Sequence, residues 1–135
     1  MVNQNLIYLV DDDDDDRLIL REAVESQMEQ VEIVEFTNGY DFIKKMENPT
    51  LPEGTVLVLM DLNMPRMSGL EVLTQLNTMP VGPQLPVLVL STAASPDIIQ
   101  KVIEVGAVKY CVKPSSMAGI EQLAKEIKEF FQFSL

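Results

Sequence analysis

The sequence predicts an open α/β domain, a doubly wound parallel sheet of five strands flanked by five helices. Three observations carry that prediction. Short apolar runs alternate along the whole chain with segments of helical periodicity, the pattern of a parallel sheet covered on both faces. The central runs, VLVLM at residues 56–60 and VLVL at residues 87–90, are unbroken, as strands buried on both sides must be. Four runs also end directly in reactive polar side chains. LIYLV meets Asp11 and Asp12, VLVLM meets Asp61, VLVL meets Ser91, and YCV meets Lys113. In open α/β sheets, ligands bind at the carboxyl ends of the strands.

The elements follow in order. Residues 6–10 are rich in strand formers and form the first strand. After the acidic run Asp11 to Asp16 and Arg17, apolar Leu20, Ala23, Val24 and Met28 recur at helical spacing, with Arg21, Glu22 and Glu25 on the other side. The acids crowd the start of this helix, where its dipole favours negative charge. Residues 31–36 alternate imperfectly, Val31, Ile33 and Phe36 against Glu32 and Glu35, and read as an edge strand with one wet side. Asn38-Gly39 marks a turn. A short helix then places Phe42, Ile43 and Met46 inward and stops near Asn48-Pro49.

The third strand, residues 56–60, is the central one, and Asn63, Pro65 and Gly69 supply turn material directly after Asp61. Leu70, Leu73 and Leu76 define the third helix. Residues 79–86, with three prolines and Gly82, form a stiffened connector to the fourth strand at residues 87–90. Ser95-Pro96-Asp97 has a capping Ser and a first-turn Pro, so a helix begins there, with Ile99, Val102 and Ile103 inward and Gly106 as a left-handed C-cap. Residues 110–112 are the last strand, ended by Lys113-Pro114. The final helix starts near Ser116 and buries Ile120, Leu123, Ile127 and Phe130 or Phe131. This succession suits the flavodoxin-like strand order 2-1-3-4-5, which brings the carboxyl ends of strands 1, 3, 4 and 5 to one rim.

Composition narrows the function. A chain of 135 residues with 47% apolar content is expected to be one domain, residues 1–135. The formal charge of -11 repels nucleic acid and anionic membranes alike, and no apolar run approaches the roughly 20 residues of a spanning helix. The N-terminal MVNQN has no features of a signal peptide, and one Cys rules out an intrachain disulfide framework, so a cytoplasmic protein is expected. The absence of His removes His-based acid/base catalysis, His metal ligation and any phosphohistidine carried by this chain.

The rim itself has a chemistry. Two unit charges about 4 Å apart repel by roughly 4 kcal/mol at an effective dielectric near 20, so gathering Asp11, Asp12 and Asp61 is costly without a cation. Oxygen-only ligands favour Mg²⁺ or Mn²⁺ over Zn²⁺, and the backbone carbonyl of Asn63 is near enough in sequence to join them. A carboxylate beside such an ion can attack phosphorus and form an aspartyl phosphate. Lys113 supplies an ammonium to neutralise the transferring group, and the Ser91 hydroxyl can donate to a phosphoryl oxygen. Each residue alone has a plainer reading: Lys-Pro after a strand as a surface turn, the six Asp as a solvated face or a tail, with Asp13, Asp14 and Asp15 as ordinary helix-start residues, and Tyr110, Cys111 and the Met residues as packing.

Taken together, these residues resemble the receiver domain of two-component response regulators. The likeness extends over essentially the whole chain. It rests on VDD at residues 10–12, DLNMPRMSG from Asp61, LST from Leu90 and VKP from Val112, an ordered set far more specific than any of its members. The resemblance implies a phosphoacceptor at Asp61 and a metal site of Asp11, Asp12, Asp61 and the Asn63 carbonyl. It further implies Ser91 as switch hydroxyl, Lys113 as phosphate partner and Tyr110 as aromatic switch residue. The partners it implies are a sensor histidine kinase or a histidine phosphotransfer protein upstream, and a protein target that reads the face of the fourth helix, fifth strand and fifth helix. No output domain follows the last helix, so a stand-alone regulator is expected.

The Asp run leaves two registers for the acidic pair, Asp11 with Asp12 or Asp12 with Asp13; the family pattern, in which the pair directly follows Val10, selects the first. Thr92 is a second hydroxyl beside Ser91, and counting along the strand from Pro86 selects Ser91. Ser115 replaces the apolar residue often found after Lys-Pro. Three other readings compete. A haloacid-dehalogenase-like phosphatase requires a D-x-D-x-[TV] motif and a late acidic pair, but position 15 is Asp and no Asp follows Lys113. An EF-hand loop fits Asp11, Asp13, Asp15 and Glu22, but Asp16 occupies its Gly position and the preceding segment is not a helix. A receiver-fold interaction module that is never phosphorylated is the main alternative.

Overall fold

The computed structural model describes residues 4–92 and 95–133; residues 1–3, part of the N-terminal stretch read for a leader, lie outside them. Five strands alternate with five helices in the order β1 (Asn5–Val10), α1 (Asp14–Gln27), β2 (Val31–Phe36), α2 (Gly39–Met46), β3 (Val56–Asp61), α3 (Gly69–Leu76), β4 (Val87–Ser91), α4 (Pro96–Val105), β5 (Lys109–Val112) and α5 (Met117–Phe133). The strands pair in parallel in the order β2-β1-β3-β4-β5. The doubly wound sheet expected from the apolar runs is the observed one.

The two-residue period of the strands divides the core into two layers. Tyr8 and Val10 of β1, Val58 and Met60 of β3 and Val89 of β4 face one side, against Phe42, Leu73 and Val102 of α2, α3 and α4. Ile7, Leu9, Leu57, Leu59 and Leu90 face the other, against Leu20 and Val24 of α1 and Leu123, Ile127 and Phe131 of α5. All six residues of β3 are buried, which explains its uninterrupted apolar sequence. Tyr8, Phe36 and Phe42 form an aromatic triangle on the first side, with ring centroids 5.4–5.8 Å apart.

The helix ends follow the expected chemistry. Asn38 caps α2 and Ser95 caps α4, each accepting a backbone N–H three residues on. Ser68 and Glu71 close a reciprocal capping box at the start of α3. Gly106 ends α4 at φ 125°, a backbone conformation that a side chain would strain. One expectation needs adjustment. Ile103 is 44% exposed rather than inward, because Val102 takes the buried position of that turn. Residues 82–84 of the connector form a single 3-10 turn.

Candidate functional site

Four loops bring the polar side chains together, each at the carboxyl end of a strand. Asp61 is the last residue of β3, and its side chain falls on the α1/α5 side by the same alternation that points Leu57 and Leu59 there. It is 5% exposed. Asp11 follows β1 directly and is 4% exposed, while Asp12 beside it is open to solvent. One oxygen from each of Asp11, Asp12 and Asp61 lies within 4.8 Å of the others. Asp13 is engaged elsewhere, as the N-cap of α1, where Oδ1 accepts from Asp16 N at 2.9 Å.

Lys113 reaches this cluster from the loop after β5, where its backbone N–H donates to Ser91 O at 2.8 Å. Its ammonium stands 2.8 Å from Asp11 Oδ2 and 3.5 Å from Asp61 Oδ2. A third carboxylate, Asp16 Oδ2 on the first turn of α1, also lies 2.8 Å away. On the other side of Asp61, the backbone N–H of Asn63 donates to Oδ1 at 3.2 Å, and its side-chain amide donates to Ser91 Oγ at 2.9 Å. Ser91 is fully buried at the end of β4, whereas Thr92 is exposed.

Charge shapes the protonation of the site. Burial, and then the neighbouring charge of Asp11, push the Asp61 carboxyl up to about 6, against the opposing pull of Lys113 and the Asn63 N–H. Burial lowers the affinity of Lys113 for its proton, but hydrogen bonds to Asp11 and Asp16 and the attraction of Asp61 outweigh it, so the ammonium is held above its ordinary value. At neutral pH the site therefore combines carboxylates with one retained ammonium. Such a donor set, all oxygen, with carboxyl oxygens of Asp11, Asp12 and Asp61 within 4.8 Å of one another, fits a hard divalent cation.

Tyr110 stands on the opposite side of the sheet. It pairs in register with Val89 and packs half-buried against the layer of α2, α3 and α4. Because Ser91 follows Val89 by two residues, the hydroxyl and the aromatic ring share a face of the sheet that Asp61 does not.

Two contributors were not singled out by the sequence reading. Asp16 is one. Arg17 is the other: it is 8% exposed, donates to Asp11 O at 2.7 Å and Glu35 Oε1 at 3.1 Å, and pairs with Asp14. Periodicity holds a signal for both. Asp16 lies four residues before Leu20, and Arg17 seven before Val24, so both continue the buried stripe of α1 into the rim. The acidic run concealed this by making the whole segment look solvated. The EF-hand reading ends here too, since α1 begins at Asp14, inside the loop it requires.

The sequence model of one family, the response regulator receiver domain, matches residues 7–125. The chain belongs to that family. Among curated relatives, it is 28% identical over 133 residues to the cyclic di-GMP phosphodiesterase response regulator RpfG of Xanthomonas campestris pv. campestris, covering 91% of this chain and 34% of that protein. It is 31% identical over 121 residues to the gliding motility regulatory protein of Myxococcus xanthus, covering 90% of this chain and 14% of that one. The chain thus spans about a third or less of the length of these two relatives. Among solved receivers, the phosphorylated cyanobacterial phytochrome response regulator RcpA superposes with a TM-score of 0.85 at 28% identity, covering 98% of this chain and 96% of that one. The Mn²⁺-bound form of response regulator Rcp1 gives 0.82 at 24%, covering 96% of each chain. Membership of the receiver family places this chain in two-component signalling. Among the described residues, no helix is long and apolar enough to cross a membrane.

Proposed function

We propose that this protein is a cytoplasmic response regulator that accepts a phosphoryl group on Asp61 from a sensor histidine kinase or a histidine phosphotransfer protein. The observation that carries this reading is the position of Asp61, a buried carboxylate within 4.8 Å of Asp11 and Asp12 oxygens and 3.5 Å from the Lys113 ammonium. An oxygen of Asp61 attacks phosphorus, the P–N bond of the phosphohistidine breaks, and the electron pair leaves with the donor imidazole. Asp11, Asp12, Asp61 and the Asn63 carbonyl are the residues that would hold Mg²⁺ or Mn²⁺. The ion would offset charge on the transferring group. Lys113 takes a phosphoryl oxygen as its partner, and Ser91 turns its hydroxyl toward another.

The added group carries about -1.5 to -2 charges and can form one to three new charge-assisted hydrogen bonds, enough to bias a two-state loop. Movement of Ser91 leaves its Asn63 partner and opens space on the sheet face shared with Tyr110, which turns inward. The signal reaches a protein target through α4, β5 and α5. Ile103, Val108, Val112 and Met117 in this region are exposed apolar residues, the chemistry of a protein contact and not of nucleic acid.

The test is incubation with Mg²⁺ and a small acyl phosphate, followed by intact mass. The wild type is expected to gain one hydroxylamine-labile phosphoryl group and Asp61→Asn none. An unmodified wild type beside a phosphorylated control receiver would instead support an interaction module that works without phosphorylation. Mg²⁺ at a hundredfold excess over its Kd should also stabilise the fold by about 2.7 kcal/mol. A melting temperature indifferent to millimolar Mg²⁺ would contradict the metal site.

A further inference from the structure

We infer that Asp16 is a positioning residue that competes with the phosphoryl group for the ammonium of Lys113, and so restrains phosphorylation of Asp61. The inference rests on the phosphoacceptor reading of Asp61 and adds to it a residue that opposes the product. Lys113 has three N–H donors. In the structure, Asp11 and Asp16 each lie at 2.8 Å, while Asp61 is at 3.5 Å, beyond a good hydrogen bond. The ammonium is therefore drawn toward α1 and away from the carboxylate it would serve.

The two short contacts are not equivalent. Asp11 is pinned: Oδ1 accepts the Asp13 N–H at 2.9 Å, its carbonyl accepts from Arg17 at 2.7 Å, and its side chain is 6% exposed. Asp16 has a side chain 45% exposed, on the first turn of a helix, where water can replace its partner at small cost. A phosphoryl group on Asp61 must recruit Lys113 from one of them, and Asp16 is the one that can release it. Until then its charge offsets the lysine and repels the incoming dianion. The pair also lines a cleft of about 280 Å³ together with Ile19, Leu20, Ile120 and Leu123.

The test measures beryllofluoride, a phosphoryl mimic, titrated into the full chain at saturating Mg²⁺, with Asp61→Asn as the blank. Asp16→Asn removes the charge and keeps the shape. Asp15→Asn removes the same charge from an exposed neighbour, and Asp16→Glu restores a carboxylate. The half-saturating concentration is expected to fall about fivefold in Asp16→Asn, the scale of a partly exposed ion pair, to stay unchanged in Asp15→Asn, and to return toward wild type in Asp16→Glu. Acyl-phosphate labelling should show the same order, with the Mg²⁺ Kd and melting temperature as checks on the metal site and fold. Equal or weaker binding by Asp16→Asn, or the same gain in Asp15→Asn, would overturn the inference while leaving the acceptor intact. A wild type that binds no beryllofluoride and takes no phosphoryl group would overturn both.

Discussion

The side-chain amide of Asn63 donates to the hydroxyl of Ser91 at 2.9 Å, joining the loop after β3 to the end of β4 on the far side of Asp61. Ser91 is fully buried and Asn63 is exposed, so the bond ties a solvent-facing loop to an interior hydroxyl. If Ser91 must leave Asn63 to reach a phosphoryl group, this bond belongs to the unphosphorylated state alone. Asn63→Ala is expected to lower the stability of that state by about 1 kcal/mol and to shift the balance toward the activated arrangement by a similar amount. Urea unfolding gives the first effect, and the beryllofluoride titration of the variant gives the second.

Protonation of Asp61 supplies a pH test. Its folded value of about 6 lies above the ordinary 3.8, so the folded state binds this proton more tightly than the unfolded state. The resulting stabilisation is complete below 3.8 and disappears as pH rises through 6, leaving a penalty of about 3 kcal/mol at neutral pH without divalent ions. Asp61→Asn should therefore exceed wild type in stability by about 2–3 kcal/mol at pH 7.5 in EDTA, and by almost nothing at pH 3.5. A stability difference constant with pH would refute the assignment of this penalty to Asp61.

Arg17 anchors the start of α1 to the rim. Its planar fork serves Asp11 O and Glu35 at once, geometry that an ammonium cannot reproduce. Arg17→Met leaves a buried carbonyl short of a donor and Glu35 with Arg21 as its remaining cation, and should cost about 1–3 kcal/mol. Arg17→Lys should recover less than half of this. Chemical denaturation of the two variants makes the comparison.

Gly69 tests how tightly the loop after β3 closes on the strand. A Cβ there would lie 2.6 Å from Asp61 O and 2.9 Å from Leu62 Cα, both backbone atoms at the end of the central strand. Gly69→Ala should therefore destabilise by about 1–3 kcal/mol and weaken Mg²⁺ binding, because the displaced atoms carry Asp61. Thermal melts with and without Mg²⁺ separate the two effects.

In the third and fourth strands, residues 56–60 and 87–90, the apolar runs specified buried strands without ambiguity, because a strand covered on both faces admits no polar position until it reaches the rim. The edge strand at residues 31–36 was legible from its glutamates, and the starts of α2 and α4 from the residues that cap them. Ile103 was misread because helical periodicity gives the spacing of the buried stripe and not its width.

The chain's local chemistry determined where each strand stops, which side chain stands at each stop, and that carboxylates, a hydroxyl and an ammonium occupy one rim. Which of the remaining aspartates caps α1, and that Asp16 joins Asp11 at Lys113, was decided only by the tertiary structure. Identical side chains carry no internal distinction; the rotation of α1 about its axis, set by the burial of Leu20 and Val24 against α5, gives Asp14, Asp15 and Asp16 their directions.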